Sequence, residues 1–150
     1  ALLDGGTVQQ IFHKRLLPTY DVFDEDRYFE PGECPNHFFL GDEGGGMGDE
    51  MAASSPISHS SSLHIGVTIC EDLWNDEEFW GKRSYRINPI ADLAEQGVDL
   101  IINLSASPYT VGKQQLREAM LRHSAVRFNH PVIYANQVGS NDDPVSYTHL

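Results

Sequence analysis

Cys70 is the residue of this chain best placed to do chemistry. It closes an apolar run in which Ile65, Val67 and Ile69 recur with period two, and Glu71, Asp72, Leu73, Trp74 and Asn75 follow at once. A strand that ends this way sets a thiol at the rim of a buried sheet, where open α/β sheets bind their ligands. A cysteine attacks as its thiolate, which needs an adjacent base or a cation. Carboxylates beside a thiol disfavour negative charge on sulfur, so the cation has to come from another part of the chain. Lys14 is the candidate, because it closes an apolar stretch of its own. Its ammonium would steady first a thiolate and then an oxyanion. Against this stands the fact that most strand cysteines are buried structural thiols; local composition alone leaves both readings open.

Other chemistries fit less well. Histidine is the usual base for a catalytic cysteine. His13, His64, His123 and His130 lie nearest the ordered elements, and none is placed at a strand end facing Cys70. His13 and His64 are expected to pack in the sheet, and His123 on its helix. No Cys-x-x-Cys or His-x-x-x-His spacing occurs, so no metal site is expected. Gly44-Gly45-Gly46 lacks the Gly-Lys-Ser/Thr ending of a phosphate loop.

The elements that must position Cys70 and Lys14 follow from periodicity and punctuation. Gly5-Gly6 marks a turn. Residues 8–14 (VQQIFHK) read as a strand that delivers Lys14 and is over by Pro18. Residues 19–32, rich in aromatics and acids, read as an ordered loop pinned by its rings, or else as a plain surface loop. Phe38, Phe39 and Leu40 suggest a short strand. Residues 41–62, with the glycine triplet and a serine cluster, read as a flexible loop. After the Cys70 strand, Asn88 at the N-cap and Pro89 at the first position open a helix with Ile90, Leu93 and Ala94 on its apolar face and Gly97 as its stop. Residues 98–104 (VDLIINL) read as a strand buried on both faces. A helix over 112–128 should bury Leu116, Ala119, Met120 and His123, ending before Pro131. Residues 132–138 (VIYANQV) read as a further strand. Strand, helix, strand is a βαβ unit, so the sheet is expected to be parallel here. Three strand ends then share one rim: Cys70, residues 105–107, and residues 137–141.

Composition sets the bounds. The 150 residues suffice for one domain with a sizeable core, and 40% hydrophobic against 21% charged residues is ordinary for a globular protein. The net charge of -12, from 22 acids and 10 bases, disfavours nucleic acid or an anionic membrane surface as a partner. Two cysteines, Cys34 and Cys70, with no basic-then-apolar start, suggest a reducing, cytoplasmic setting.

Val67-Thr68-Ile69-Cys70-Glu71-Asp72-Leu73-Trp74 resembles the nucleophile strand of the nitrilase (carbon–nitrogen hydrolase) superfamily, and His13-Lys14-Arg15-Leu16-Leu17-Pro18 resembles its lysine motif. The run from Tyr20 to Phe29, with Leu104-Ser105-Ala106-Ser107-Pro108-Tyr109 and Val111-Gly112-Lys113, resembles the amide-hydrolysing domain of glutamine-dependent NAD synthetases. The resemblance implies an α/β fold, the nitrilase-like α-β-β-α sandwich, here incomplete at its N-terminal part and in its later strands. It implies a Glu–Lys–Cys triad with Cys70 as nucleophile and Lys14 stabilising the oxyanion with the Glu71 N–H. Glu25 matches a supporting glutamate. The triad's general-base glutamate has no counterpart, since residues 1–14 contain no Glu. Tyr20, Glu71, Trp74, Ser107 and Lys113 would line a pocket for L-glutamine, Lys113 standing where the family often has arginine.

On this resemblance the chain is an internal piece, with residues 1–142 belonging to the glutamine-hydrolysing domain and residues 143–150 a non-native tail. Its ammonia would pass to a synthetase domain, where ATP with magnesium drives conversion of deamido-NAD to NAD. A homo-oligomeric parent is expected, and the piece alone is expected to be inactive. A free-standing nitrilase-type amidase and a non-catalytic module of the same fold are the alternatives.

Overall fold

A computed structural model describes residues 1–21, 23–41 and 62–139. The flexible loop expected over 41–62 and the tail at 143–150 fall, apart from residues 41 and 62, outside the described residues. Two strands, β1 (Leu2–Asp4) and β2 (Thr7–Gln10), form an antiparallel hairpin. Gly5 and Gly6 turn it with φ of +55° and +78°, the positive pair that a tight two-residue hairpin turn requires. The main sheet has the order β3-β4-β5-β6. Its strands are β3 (Asn36–Leu40), β4 (Leu63–Ile69), β5 (Leu100–Ser105) and β6 (Val132–Asn136). β3 runs antiparallel to β4, whereas β4, β5 and β6 are parallel. The three parallel strands therefore end on one rim, as the βαβ reading requires.

Three helices, α1 (Glu77–Trp80), α2 (Pro89–Glu95) and α3 (Lys113–Phe128), complete the described elements with two 3-10 turns, Glu25–Arg27 and Cys70–Leu73. The Asn88 side chain accepts from the N–H groups of Ile90 and Ala91 and opens α2. Leu73, Ile90, Leu93, Val98, Ile101 and Met120 form the core, between one sheet face and helices α2 and α3. Gly66 is part of that contact: a Cβ there would stand 3.0 Å from Leu93 Cδ1. Among the described residues no helix is long and apolar enough to cross a membrane.

Four expectations need correction. The strand over 8–14 stops at Gln10. Residues 11–20 run without a ladder, Ile11 and His13 are exposed rather than packed in the sheet, and other bonds hold Lys14. The strand over 98–104 is not buried on both faces. Ile101 is fully buried and Leu104 is 49% exposed, because the helices cover one face only. The long helix buries Arg117, Met120 and Ser124 instead of Leu116, Ala119 and His123. Arg117 can turn inward because its guanidinium lies over the Tyr134 ring, 5.1 Å from the centroid. Nor do buried rings pin the loop over 19–32: Tyr28 and Phe29 are exposed. Polar bonds pin it instead.

Candidate active site

Cys70 is the first residue after β4 and adopts φ of +47°. A non-glycine residue in the left-handed region carries strain of order 1–3 kcal/mol and persists only where its surroundings impose it. Those surroundings are visible. Asp72 Oδ2 accepts from the Ile69 N–H at 2.9 Å, Asn103 Nδ2 donates to the Cys70 carbonyl at 3.4 Å, and the Trp74 N–H closes the turn on the Glu71 carbonyl at 2.8 Å. Asn103 is itself fully buried and donates to Thr68 Oγ1. The chain thus turns sharply at the rim, with Cys70, partly buried, at the bend.

The same turn holds the lysine. Asp72 Oδ1 accepts from the N–H groups of Arg15 (2.9 Å) and Leu16 (2.8 Å), across more than fifty residues of sequence. Burial pushes the Asp72 carboxyl up, while the three backbone N–H donors and the Lys14 charge pull the other way. On the far side the Gly32 N–H donates to the Lys14 carbonyl at 2.7 Å, and the Asn36 amide makes two bonds to the His13 backbone. The Lys14 ammonium pairs with the Glu25 carboxylate. Glu25 is fixed in turn by its own N–H, which donates to the Pro18 carbonyl at 3.1 Å.

Glu71 is 7% exposed. Its two oxygens each accept a phenol, Tyr20 at 2.8 Å and Tyr85 at 3.1 Å. Burial above all, then the Glu71 charge and hydrogen bond, hold both phenols far above their ordinary value. In the phenol form each donates to the Glu71 carboxylate. Lys113, at the start of α3, lies over the Trp74 ring at 5.5 Å, and Trp74 stacks on Trp80. Burial, and then Arg117, lower the Lys113 pKa, while the charges of Cys70, Glu71 and Asp21 oppose that. These groups therefore share one neighbourhood. Ser107, 3% exposed, follows β5, and its backbone N–H and carbonyl are both held by the Asn136 amide at the end of β6.

The structure thus gathers Cys70, Glu71, Tyr20, Trp74 and Lys113 at the rim, brings Glu25 onto Lys14, and sets Ser107 on the neighbouring strand end. Asp72, Tyr85, Tyr134 and Asn136 were not singled out from the sequence. Tyr85 stands fourteen residues beyond Glu71 in a segment with neither helical nor strand period, so nothing local marked it. A surface hollow of about 690 Å³ lies elsewhere, lined by Glu78, Arg122, His123 and Arg127 on α1 and α3; none of the gathered residues lines it.

The carbon–nitrogen hydrolase family model matches residues 1–149. This chain belongs to the carbon–nitrogen hydrolase family. A glutamine-dependent NAD(+) synthetase of Synechocystis is 54% identical over 142 residues, 95% of this chain and 22% of that protein. One of Thermotoga maritima is 37% identical over 146 residues, 97% of this chain and 20% of its own length. The solved glutamine-dependent NAD+ synthetase of Acinetobacter baumannii superposes with a TM-score of 0.67 at 33% identity, covering 95% of this chain and 21% of that one. A nitrilase-superfamily amidase of Nesterenkonia, 18% identical, superposes at 0.56 over 89% of this chain and 38% of its own, a likeness of fold. The chain therefore spans about a fifth of the curated relatives' length and carries the carbon–nitrogen hydrolase α/β fold.

Proposed function

We propose that this segment hydrolyses the side-chain amide of L-glutamine and supplies ammonia to an NAD synthetase domain of the same protein. The observation that carries the reading is Cys70 itself, held at positive φ on the rim where three parallel strands end. The Cys70 Sγ attacks the amide carbon and the carbonyl π pair moves to oxygen. Lys14 Nζ and the Glu71 N–H stabilise that oxyanion. The family's triad glutamate, which in this reading lies outside residues 1–14, takes the thiol proton as Sγ attacks and gives it to nitrogen as the C–N bond breaks and ammonia leaves. Water then cleaves the thioester, giving glutamate and the free thiol. Glu25 keeps the Lys14 ammonium aimed at the turn. Glu71 and Lys113 bind the ammonium and carboxylate of the amino acid, Trp74 walls the pocket, and Tyr20 and Ser107 complete it. ATP and magnesium belong to the synthetase domain, and no step here runs through them.

In the full-length protein, Cys70→Ala is expected to abolish glutamine-supported NAD formation and leave ammonium-supported formation within about twofold of wild type. Glutamine-supported activity that survives the substitution contradicts the reading.

A further inference from the structure

The carboxylate of Glu71 is held by a device that lies outside the chemistry just described. Asn75 is four residues beyond Glu71, just past the Cys70–Leu73 turn, and is 3% exposed. Its amide is bonded entirely to one distant stretch of backbone. Nδ2 donates to the carbonyls of Tyr85 (3.0 Å) and Ile87 (2.5 Å), and Oδ1 accepts from the N–H groups of Ser84 (3.0 Å) and Tyr85 (3.1 Å). Four bonds use both donors and both lone pairs of the amide. The loop they clamp carries Tyr85, whose phenol returns to Glu71 Oε1. A closed circuit results: Asn75, just past the turn bearing Glu71, grips a loop, and that loop orients Glu71.

A carboxylate offers about four acceptor sites. The phenols of Tyr20 and Tyr85 take one on each oxygen, so acceptor capacity remains on the Cys70 turn. The complement to such a carboxylate is a cation that donates hydrogen bonds, and a primary ammonium fits. Loss of one phenol frees the carboxylate to rotate and adds a desolvated lone pair, which weakens the ammonium's seat without touching the sulfur.

We propose that Asn75 and Tyr85 are positioning residues that fix Glu71 and thereby set the site's selectivity for an amide substrate bearing a free α-ammonium. This rests on the glutamine-hydrolysing reading above. Tyr85→Phe keeps the ring and removes only the hydroxyl. The test compares kcat/KM in the full-length protein for L-glutamine and for 4-carbamoylbutanoate, which has the same amide and carboxylate but no amino group. In Tyr85→Phe the KM for L-glutamine should rise about tenfold with kcat within about twofold, while the des-amino amide is unchanged. The ratio between the two substrates then falls about tenfold. Asn75→Asp, which turns a donor into an acceptor facing two carbonyls, should lower the same ratio at least as far. A purely structural role lowers both substrates together, and either that outcome or an unchanged ratio overturns the proposal while glutamine hydrolysis by the wild type stands. A wild-type protein that releases no ammonia from glutamine overturns the underlying reading as well.

Discussion

Lys113 offers a titration that reports on binding rather than on chemistry. Its pKa is lowered, by burial first and by Arg117 second. A lysine loses its charge as pH rises, so a depressed pKa brings that loss below 10.5, the ordinary value. Ammonium–carboxylate binding should therefore fade on the alkaline side, and KM for glutamine should rise there. Lys113→Arg keeps the charge to beyond about pH 12. In that variant the share of the alkaline rise in KM that belongs to Lys113 should be lost, leaving only the share set by the substrate's own α-ammonium, which wild type and variant have in common. A rise of the same size in Lys113→Arg means that another group titrates. Burial and the Glu71 carboxylate raise the Tyr20 and Tyr85 phenols above their ordinary value, which moves their titration away from that range.

Among the elements, the 3-10 turn Cys70–Leu73 has the strongest claims on its neighbours. Asp72 accepts three backbone N–H groups, two of them on the lysine-bearing segment. An unpaired buried N–H costs about 1–3 kcal/mol. Asp72→Ala should therefore speed amide hydrogen exchange at Arg15 and Leu16 by about a hundredfold; unchanged protection there means that something else holds the segment. Gly66 makes a second demand. A methyl group at that position meets the side chain of Leu93, which is 1% exposed and has nowhere to swing. Gly66→Ala should cost about 1–3 kcal/mol, typical of overpacking, seen as a lower thermal midpoint of the domain.

The parallel strands, the Asn88–Pro89 helix start and the Cys70 rim were legible because each has a local signature: an apolar run, a cap, a polar cluster at a strand end. The support for Lys14 was not. It comes from Asp72, Asn36 and Gly32, partners far away in sequence, and Ile11 and Phe12 only prolonged the apparent strand past Gln10, where it ends. The inward turn of Arg117 was equally invisible. An arginine reads as surface until the Tyr134 ring on another element is known to lie beneath it. Tyr85 gave no signal because its role depends wholly on the Asn75 clamp.

Across the whole molecule, the helices cover one face of the main sheet. On the other, Ile65 and Val67 are buried, whereas Leu104 and Ile133 are about half exposed. Cα partners in register share a face, which places Ile102 and Ile133 on the same side as Leu104. The relatives are about five times longer than the stretch matched here. Residues 1–150 alone, with no glutamate before Lys14, should release no ammonia from glutamine under conditions in which the full-length protein does. Turnover by the short chain would place the base among its own residues.

The central claim is that Cys70 is a nucleophile in a glutamine pocket, and the two cysteines provide an internal control. Cys34 is exposed and Cys70 only partly so; accessibility alone therefore favours alkylation of Cys34. Limited iodoacetamide labelling of the full-length protein, read by peptide mass spectrometry with and without L-glutamine, tests the claim directly. Cys70 should be labelled faster than Cys34, and glutamine should protect Cys70 alone. Slower labelling of Cys70, indifferent to glutamine, would contradict it.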